Sequence, residues 1–214
     1  MPVMKDDEAL KKLRGPLFIL FEGIDGSGKT TQADMLAGLL DSMSVPVARL
    51  AEPTRGVWGA EIRKMLSGNA APDPWEQVRL FILDRREDVA MNVIPALGRG
   101  DVIVMDRYYY SNAAYQGAGG IDPGEIMEIN RKEGFPEPDR IYFIDIDPVL
   151  AMNRIASRNN GGTTEIFEKG DFLSAVRKNY LSILGKNSVV IDGSGAPEKV
   201  FASVVSDIRN AFIQ

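Results

Sequence analysis

Residues 23–30 read GIDGSGKT and follow directly on PLFILFE of residues 16–22, an apolar run closed by a glutamate. The spacing is G-x-x-x-x-G-K-[ST], and the helix-like stretch KTTQADMLAGLLDSM comes next. In that setting Gly23, Gly26 and Gly28 let the chain wrap with its N–H groups facing inward, and the following helix N-terminus adds positive potential. Ser27 and Thr31 add hydroxyls, so the loop suits a polyphosphate. Lys29 is placed to reach β- and γ-phosphates, and the Thr30 hydroxyl to ligate Mg²⁺. The bland alternative is a chance glycine turn with a surface lysine. Motors, switches and kinases all use such a loop.

Two other segments narrow the chemistry. In VIVMDRYYYS, Asp106 ends an apolar run where a nucleotide-hydrolysing or nucleotide-transferring site places the carboxylate that holds a metal or its water; a helix N-cap is the alternative. Arg107, Ser111 and Tyr115 follow at intervals of four, which puts a cation, a hydroxyl and a ring along one helix side. That set suits a phosphate, a sugar and a base, and a solvated face remains open. In VRLFILDRREDV, Phe81 and Arg85 are also four apart, so a base could stack on the ring while the guanidinium donates to its edge. On that segment alone, Phe81 as core and Arg85 as solvated is the better-favoured reading. The chain has no histidine and no cysteine, so its chemistry rests on carboxylates, lysine, arginine, hydroxyls and a borrowed metal.

Something must position these groups. Apolar runs recur at 16–21, 45–50, 101–105, 140–145 and 188–192, separated by helix-like stretches. Continuous apolar runs fit strands buried on both faces, and the alternation implies βαβ units in a parallel sheet. Each run is followed by charged residues at its carboxyl end: Glu22 to Asp25, Glu52 to Arg55, Asp106 and Arg107, Asp145 and Asp147, and Asp192. Ligands of open α/β sheets bind outside those ends, so these groups are expected to converge. The segment SRNNGGTTEIFEKG (157–170) interrupts two helical patterns and reads as a mobile flap. No internal repeat or linker divides residues 16–214, which read as a single domain; residues 1–15 read as a short amphipathic or frayed leader with no assigned function. The net charge of −5 argues against a nucleic-acid partner. The apolar run after the leader is too short for a bilayer, so no membrane partner and a cytoplasmic location are expected.

The motifs FEGIDGSGKTTQ, EPTRG, RLFILDRREDV, DRYYYSNAAYQG and FPEPDRIYFIDIDPVLAMNRIASR together resemble the thymidylate kinases of the P-loop nucleoside monophosphate kinase family, from about residue 16 to the C-terminus. The resemblance implies a three-layer α/β P-loop fold, a central parallel sheet of about five strands flanked by helices, and a short mobile lid at 157–170. It implies Mg²⁺ with ATP as co-substrate, dTMP as acceptor, and commonly a homodimer. Carried over residue by residue, Gly23, Asp25, Gly26, Ser27, Gly28, Lys29, Thr30 and Thr31 bind ATP, and Arg154 flanks its adenine. Asp25 contacts the acceptor 3′-hydroxyl, and Arg55 and Arg107 hold its phosphate, with Glu52 and Pro53 shaping that wall. Phe81 stacks on thymine, Arg85 donates to its O4, and Ser111 and Gln116 complete the base site. Tyr115 fills the space of a ribose 2′-hydroxyl. Thr30 and Asp106 hold the metal.

There is one departure from the family pattern. A catalytic arginine usually stands within the P-loop or in a DR pair of the lid, and neither slot holds one here. Arg154, Arg158 and Lys169 are the remaining cations of that region. Arg158 is the expected substitute, because its guanidinium fork can bridge two phosphates and an ammonium cannot. The expected reaction is γ-phosphoryl transfer from Mg·ATP to dTMP; another monophosphate, a deoxynucleoside, or a nucleotide-dependent switch are the rivals.

Overall fold

The computed structural model describes residues 10–13, 15–68, 73–159 and 170–213. Five parallel strands form the sheet in the order β2-β3-β1-β4-β5: β1 (Leu17–Glu22), β2 (Val47–Ala51), β3 (Val102–Asp106), β4 (Arg140–Asp145) and β5 (Ser188–Asp192). The helices that connect and cover them are α1 (Lys29–Ser42), α2 (Val57–Leu66), α3 (Pro74–Asp88), α4 (Ile94–Arg99), α5 (Tyr109–Ala118), α6 (Pro123–Lys132), α7 (Pro148–Asn159), α8 (Gly170–Ile183) and α9 (Pro197–Phe212). Each strand returns to the sheet through a helical crossover, as parallel pairing requires.

The alternation of side chains divides β1 between two cores. Leu17, Ile19 and Phe21 face one side, with Leu36 and Leu40 of α1 and Val204 and Ile208 of α9. Phe18 and Leu20 face the other, with Ile82 of α3, Tyr108 and the buried face of α5, and Leu173 and Val176 of α8. Burial on both faces is complete for β1 and β3 and nearly so for β4. It is not for β2 and β5, which lie at the sheet edges and stay half-exposed, with Val190 52% exposed. Apolar runs mark strands well; they do not tell an edge from a centre.

The register aligns the strand ends. Asp106 stands opposite Phe21 on one side and Ala51 on the other, and Asp145 stands opposite Asp192. The loops after β1, β2 and β3 therefore leave the sheet at one rim. The apparent leader also belongs partly to the core: a 3₁₀ turn at Leu10–Lys12 sets Leu10 and Leu13, both 1% exposed or less, into the α1/α9 side. Burying two leucines contributes about 1.5–3 kcal/mol each, so the packed domain begins before residue 16.

Candidate active site

The loop after β1 is shaped by its glycines. Gly26 and Gly28 hold φ of 81° and 96°, which L side chains rarely adopt. A Cβ on Gly26 would stand 2.6 Å from the Ala151 carbonyl oxygen, whereas one on Gly28 would meet nothing within 4 Å. Gly28 caps α1, which carries no side-chain cap and no acid in its first turn, so its N–H groups and dipole keep their pull on an anion. Lys29 is buried; its Nζ lies 3.7 Å from Asp25 Oδ1 and donates to the Ile24 carbonyl at 3.5 Å. Burial and then the charge of Arg107 push its pKa below the ordinary lysine value, against the pull of Asp25 and Asp106.

Beside the loop, Thr30 Oγ1 donates to Asp106 Oδ2 at 2.6 Å, while Asp106 Oδ1 is buried without a hydrogen-bond partner. Two hard oxygens together, one of them unused, fit Mg²⁺, which prefers one or two protein oxygens plus phosphates and water over an all-protein cage. No group of three or more acids that could hold a metal on its own occurs among the described residues. Arg49 of β2 stands 3.6 Å from the same Asp106 oxygen and donates from Nε to Asp34 at 2.9 Å.

Asp25 joins this loop to a second cluster. Its Oδ1 accepts from Arg107 Nη2, its Oδ2 accepts from the Tyr115 hydroxyl at 2.8 Å, and its N–H donates back to that hydroxyl at 3.0 Å. The Arg107 guanidinium also lies over the Tyr115 ring, 5.2 Å from its centroid. Burial is the largest influence on Arg107 and lowers its pKa, but Asp25 together with Tyr115, Tyr180 and Asp106 outweighs it, so the pKa ends well above its ordinary value; burial and then Asp25 raise that of Tyr115. Arg107 itself has φ 68°, a conformation that costs a non-glycine residue about 1–3 kcal/mol and marks a position held by its surroundings. Ser111, the next member of the spaced set, accepts from Arg107 Nη1 at 3.0 Å and donates to Glu22 at 2.6 Å.

The proposed base readers sit deeper. Arg85 is wholly buried: Nη2 donates to Glu52 Oε2 at 2.5 Å, Nη1 to Asn130 Oδ1 at 2.7 Å, and the group lies 5.1 Å from the Tyr108 ring centroid. The reading of Arg85 as a solvated cation is thereby overturned. Its Nε and Glu52 Oε1 have no hydrogen-bond partner among the described residues. Burial pushes the Glu52 carboxyl up to about 8, with Arg85 pulling it back. Phe81 is half-buried on α3, and Gln116 is enclosed by Gln77 and Asn112 at 2.9 and 2.8 Å. Thr54 pins the turn of Pro53 and Arg55 to α3 through two bonds to Asp84, of 2.8 and 2.6 Å. Arg55 is exposed and lines a cavity of about 770 Å³ with Pro53, Arg49 and Arg63.

On the other side of the loop, Arg154 of α7 donates to the carbonyls of Gly193 and Ser194 at 3.0 and 3.3 Å. It lines a cavity of about 200 Å³ with Ser27, Gly28, Thr31, Gly193 and Pro197. The side chain of Arg158, one turn further along α7, lies outside the described residues, as do Lys169 and most of the flap segment, 160–169.

Not every strand-end acid converges. Asp145 is taken by Arg177 at 2.6 and 2.7 Å, Asp147 accepts from the Val149 N–H at the start of α7, and Asp192 accepts from the Ser194 N–H. Asp147 and Asp192 stabilise their own loops and Asp145 ties the end of β4 to α8, so the expectation of one converging set holds only for the first three strands. Glu22 was among the strand-end groups expected to converge, while the spacing logic passed over Tyr180, Asn130, Asp84 and Arg49. As a glutamate ending a strand buried on both faces, Glu22 needs donors. Nothing local signals Tyr180, 158 residues from the glutamate it touches.

Residues 21–204 match the family model for thymidylate kinase. Curated relatives include a thymidylate kinase of Leptospira borgpetersenii, 36% identical over 88% of this chain and 91% of that protein. A probable thymidylate kinase of Archaeoglobus fulgidus is 41% identical over 86% of this chain and 90% of that protein. The thymidylate kinase of Akkermansia muciniphila is 40% identical over 87% and 88%.

Proposed function

The chain belongs to the thymidylate kinase family, and we infer from that membership and the site's geometry that it transfers the γ-phosphoryl group of ATP to dTMP, giving dTDP and ADP on the way to dTTP. The observation that carries this reading is the Asp25 junction, where a polyphosphate loop and a cluster suited to a nucleotide monophosphate share one carboxylate. A switch would have no use for the second cluster.

In this reading the loop N–H groups and Lys29 hold the β- and γ-phosphates, and the cavity beside Arg154 receives adenine. Thr30 and Asp106 would hold Mg²⁺, which when bound neutralises charge on the donor phosphates. Arg107 and Arg55 hold the acceptor phosphate, Asp25 takes the 3′-hydroxyl, and Tyr115 closes the 2′ position. Phe81 stacks on thymine, with Ser111 and Gln116 near the base. The unpartnered Nε supports Arg85 as donor to a base carbonyl from behind the wall formed with Glu52. Two phosphates held in line with their charge neutralised need little proton transfer, so a chain without histidine loses nothing. Arg158, on the same helix as Arg154, serves as the catalytic electrophile.

Two coarser points complete the proposal. A homodimer is supported by exposed apolar side chains on the α2–α4 segment, Val57, Trp75, Met91 and Ile94, and sedimentation would check it. A cytoplasmic location accords with the absence, among the described residues, of a helix long and apolar enough to cross a membrane. A coupled ADP-release assay over dTMP, dUMP, dCMP, dGMP and thymidine tests the activity: dTMP is expected to be the best acceptor, and ADP release independent of any acceptor would overturn the reading.

A further inference from the structure

Glu22 is 0% exposed at the end of β1, and four donors converge on its carboxylate. Oε1 accepts from the backbone N–H groups of Tyr108 at 2.8 Å and Ser111 at 3.2 Å. Oε2 accepts from the Ser111 hydroxyl at 2.6 Å and the Tyr180 hydroxyl at 2.9 Å. A buried carboxylate is costly unless its lone pairs are used, and here they are. Part of its work is local: α5 has no side-chain cap of its own, so Glu22 serves its first turn from another strand, where negative charge is favoured. A cap alone would need only the two N–H contacts. The second oxygen instead fixes the Ser111 hydroxyl, which accepts from Arg107 Nη1 at 3.0 Å. The residue so held has left-handed backbone, and the next N–H in the chain, that of Tyr108, is also bound by Glu22. Both ends of Arg107, its turn and its fork, are thus tied to one carboxylate.

We propose that Glu22 is a positioning residue for the acceptor phosphate: it fixes the turn that carries Arg107 and, through the Ser111 hydroxyl, the direction of the Arg107 guanidinium. Tyr180 brings α8 into the same arrangement, since its hydroxyl lies 2.9 Å from Glu22 and 2.7 Å from Ser111. The inference rests on the reading of Arg107 as a phosphate holder. A planar fork recognises phosphate by direction as well as charge, and a displacement of about 1 Å in a positioned group can cost about a hundredfold.

Calorimetric affinities of the full chain for dTMP and for thymidine test it, because their ratio isolates the phosphate contribution from base and sugar contacts. Glu22→Gln keeps the size but places an amide among four donors. It is expected to lower the dTMP-to-thymidine ratio about tenfold while thymidine affinity stays within about threefold. Adding Glu22→Gln to Arg107→Ala should lower the ratio no further. If Glu22→Gln does not fold, Ser111→Ala breaks the same link and should reproduce most of the fall. Equal weakening of both ligands, or an unchanged ratio in either folded variant while Arg107→Ala lowers it, would overturn the positioning role and leave Glu22 a helix cap. An unchanged ratio in Arg107→Ala would instead sink the reading of the acceptor side, and the proposal with it.

Discussion

The donor and acceptor halves of this site are built in different ways. On the proposed reading the donor half centres on one unbroken stretch, Gly23 to Thr31, where backbone N–H groups face the phosphates beside the side chains of Lys29 and Thr30. The acceptor half is assembled from side chains on β1, the turn after β2, α3, α5 and α8, and its members are tied by hydrogen bonds that span as many as 158 residues of sequence. Chemistry that rests on backbone can lose a side chain and keep its fold. Chemistry that rests on a buried polar network cannot, because each member removed leaves another without its partner.

Lys29→Ala should show the first behaviour at its strongest. Loss of a cation aimed at transferring phosphate is expected to lower kcat by about 10³-fold. Stability should hold or rise, since burial disfavours the Lys29 charge and Asp25 keeps Arg107 and Tyr115 as partners. Steady-state kinetics beside a thermal melt decide it. Near-normal turnover, or a melt many degrees lower, would erase the contrast between the halves.

Glu52→Ala should show the opposite. It leaves the fully buried Arg85 guanidinium without the oxygen that accepts from it, and an unsatisfied buried group of this kind costs about 1–3 kcal/mol of stability. The same pair has a pH signature. Because the folded Glu52 carboxyl is raised to about 8, the folded chain keeps a proton that the unfolded chain has already released above the ordinary carboxylate range. Stability should therefore fall as pH rises toward 8, with Glu22 and Asp88, both raised by burial, acting in the same sense. Melts of the wild type and Glu52→Gln between pH 5 and 8 check this, and the variant should have the flatter slope.

A milder effect separates size from hydrogen bonding at the junction. Tyr115→Ala should improve the ribonucleotide-to-deoxyribonucleotide efficiency ratio about tenfold by opening space at the 2′ position. Tyr115→Phe keeps the ring but releases Asp25, so it should lower kcat and leave the ratio unchanged. If the two substitutions moved the ratio equally, the hydroxyl rather than the ring would set sugar choice.

The contrast also explains what could be read from sequence. The strands, the loop and its helix were legible because each depends on local pattern. Arg85 was not: its segment favoured a solvated cation, and only Glu52 and Asn130, 33 and 45 residues away, account for its burial. Leu10 and Leu13 were missed for a similar reason, since a short charged segment gives no sign that two of its residues reach a core formed by the last helix.

The strand-end acids supply the smallest effect and the sharpest control. Position alone placed Asp192 in the same class as Asp25, but Asp192 is exposed and its carboxylate is held by Ser194, whose N–H donates to it at 2.9 Å. That bond steadies the turn whose Gly193 and Ser194 carbonyls receive Arg154, so its reach toward the reaction runs through the adenine cavity alone. Gly193 is further held by close packing, since a Cβ there would meet Ile144 and Ile146 at 2.5 and 2.8 Å, so the turn does not depend on the carboxylate. Asp192→Ala should raise KM for ATP by no more than about threefold, with kcat and KM for dTMP within about twofold of wild type. Kinetics in both substrates read this directly. A fall in kcat comparable with that of Lys29→Ala would mean that the loop after β5 contacts the reacting phosphates, and that the donor half is not the single contiguous grip described above.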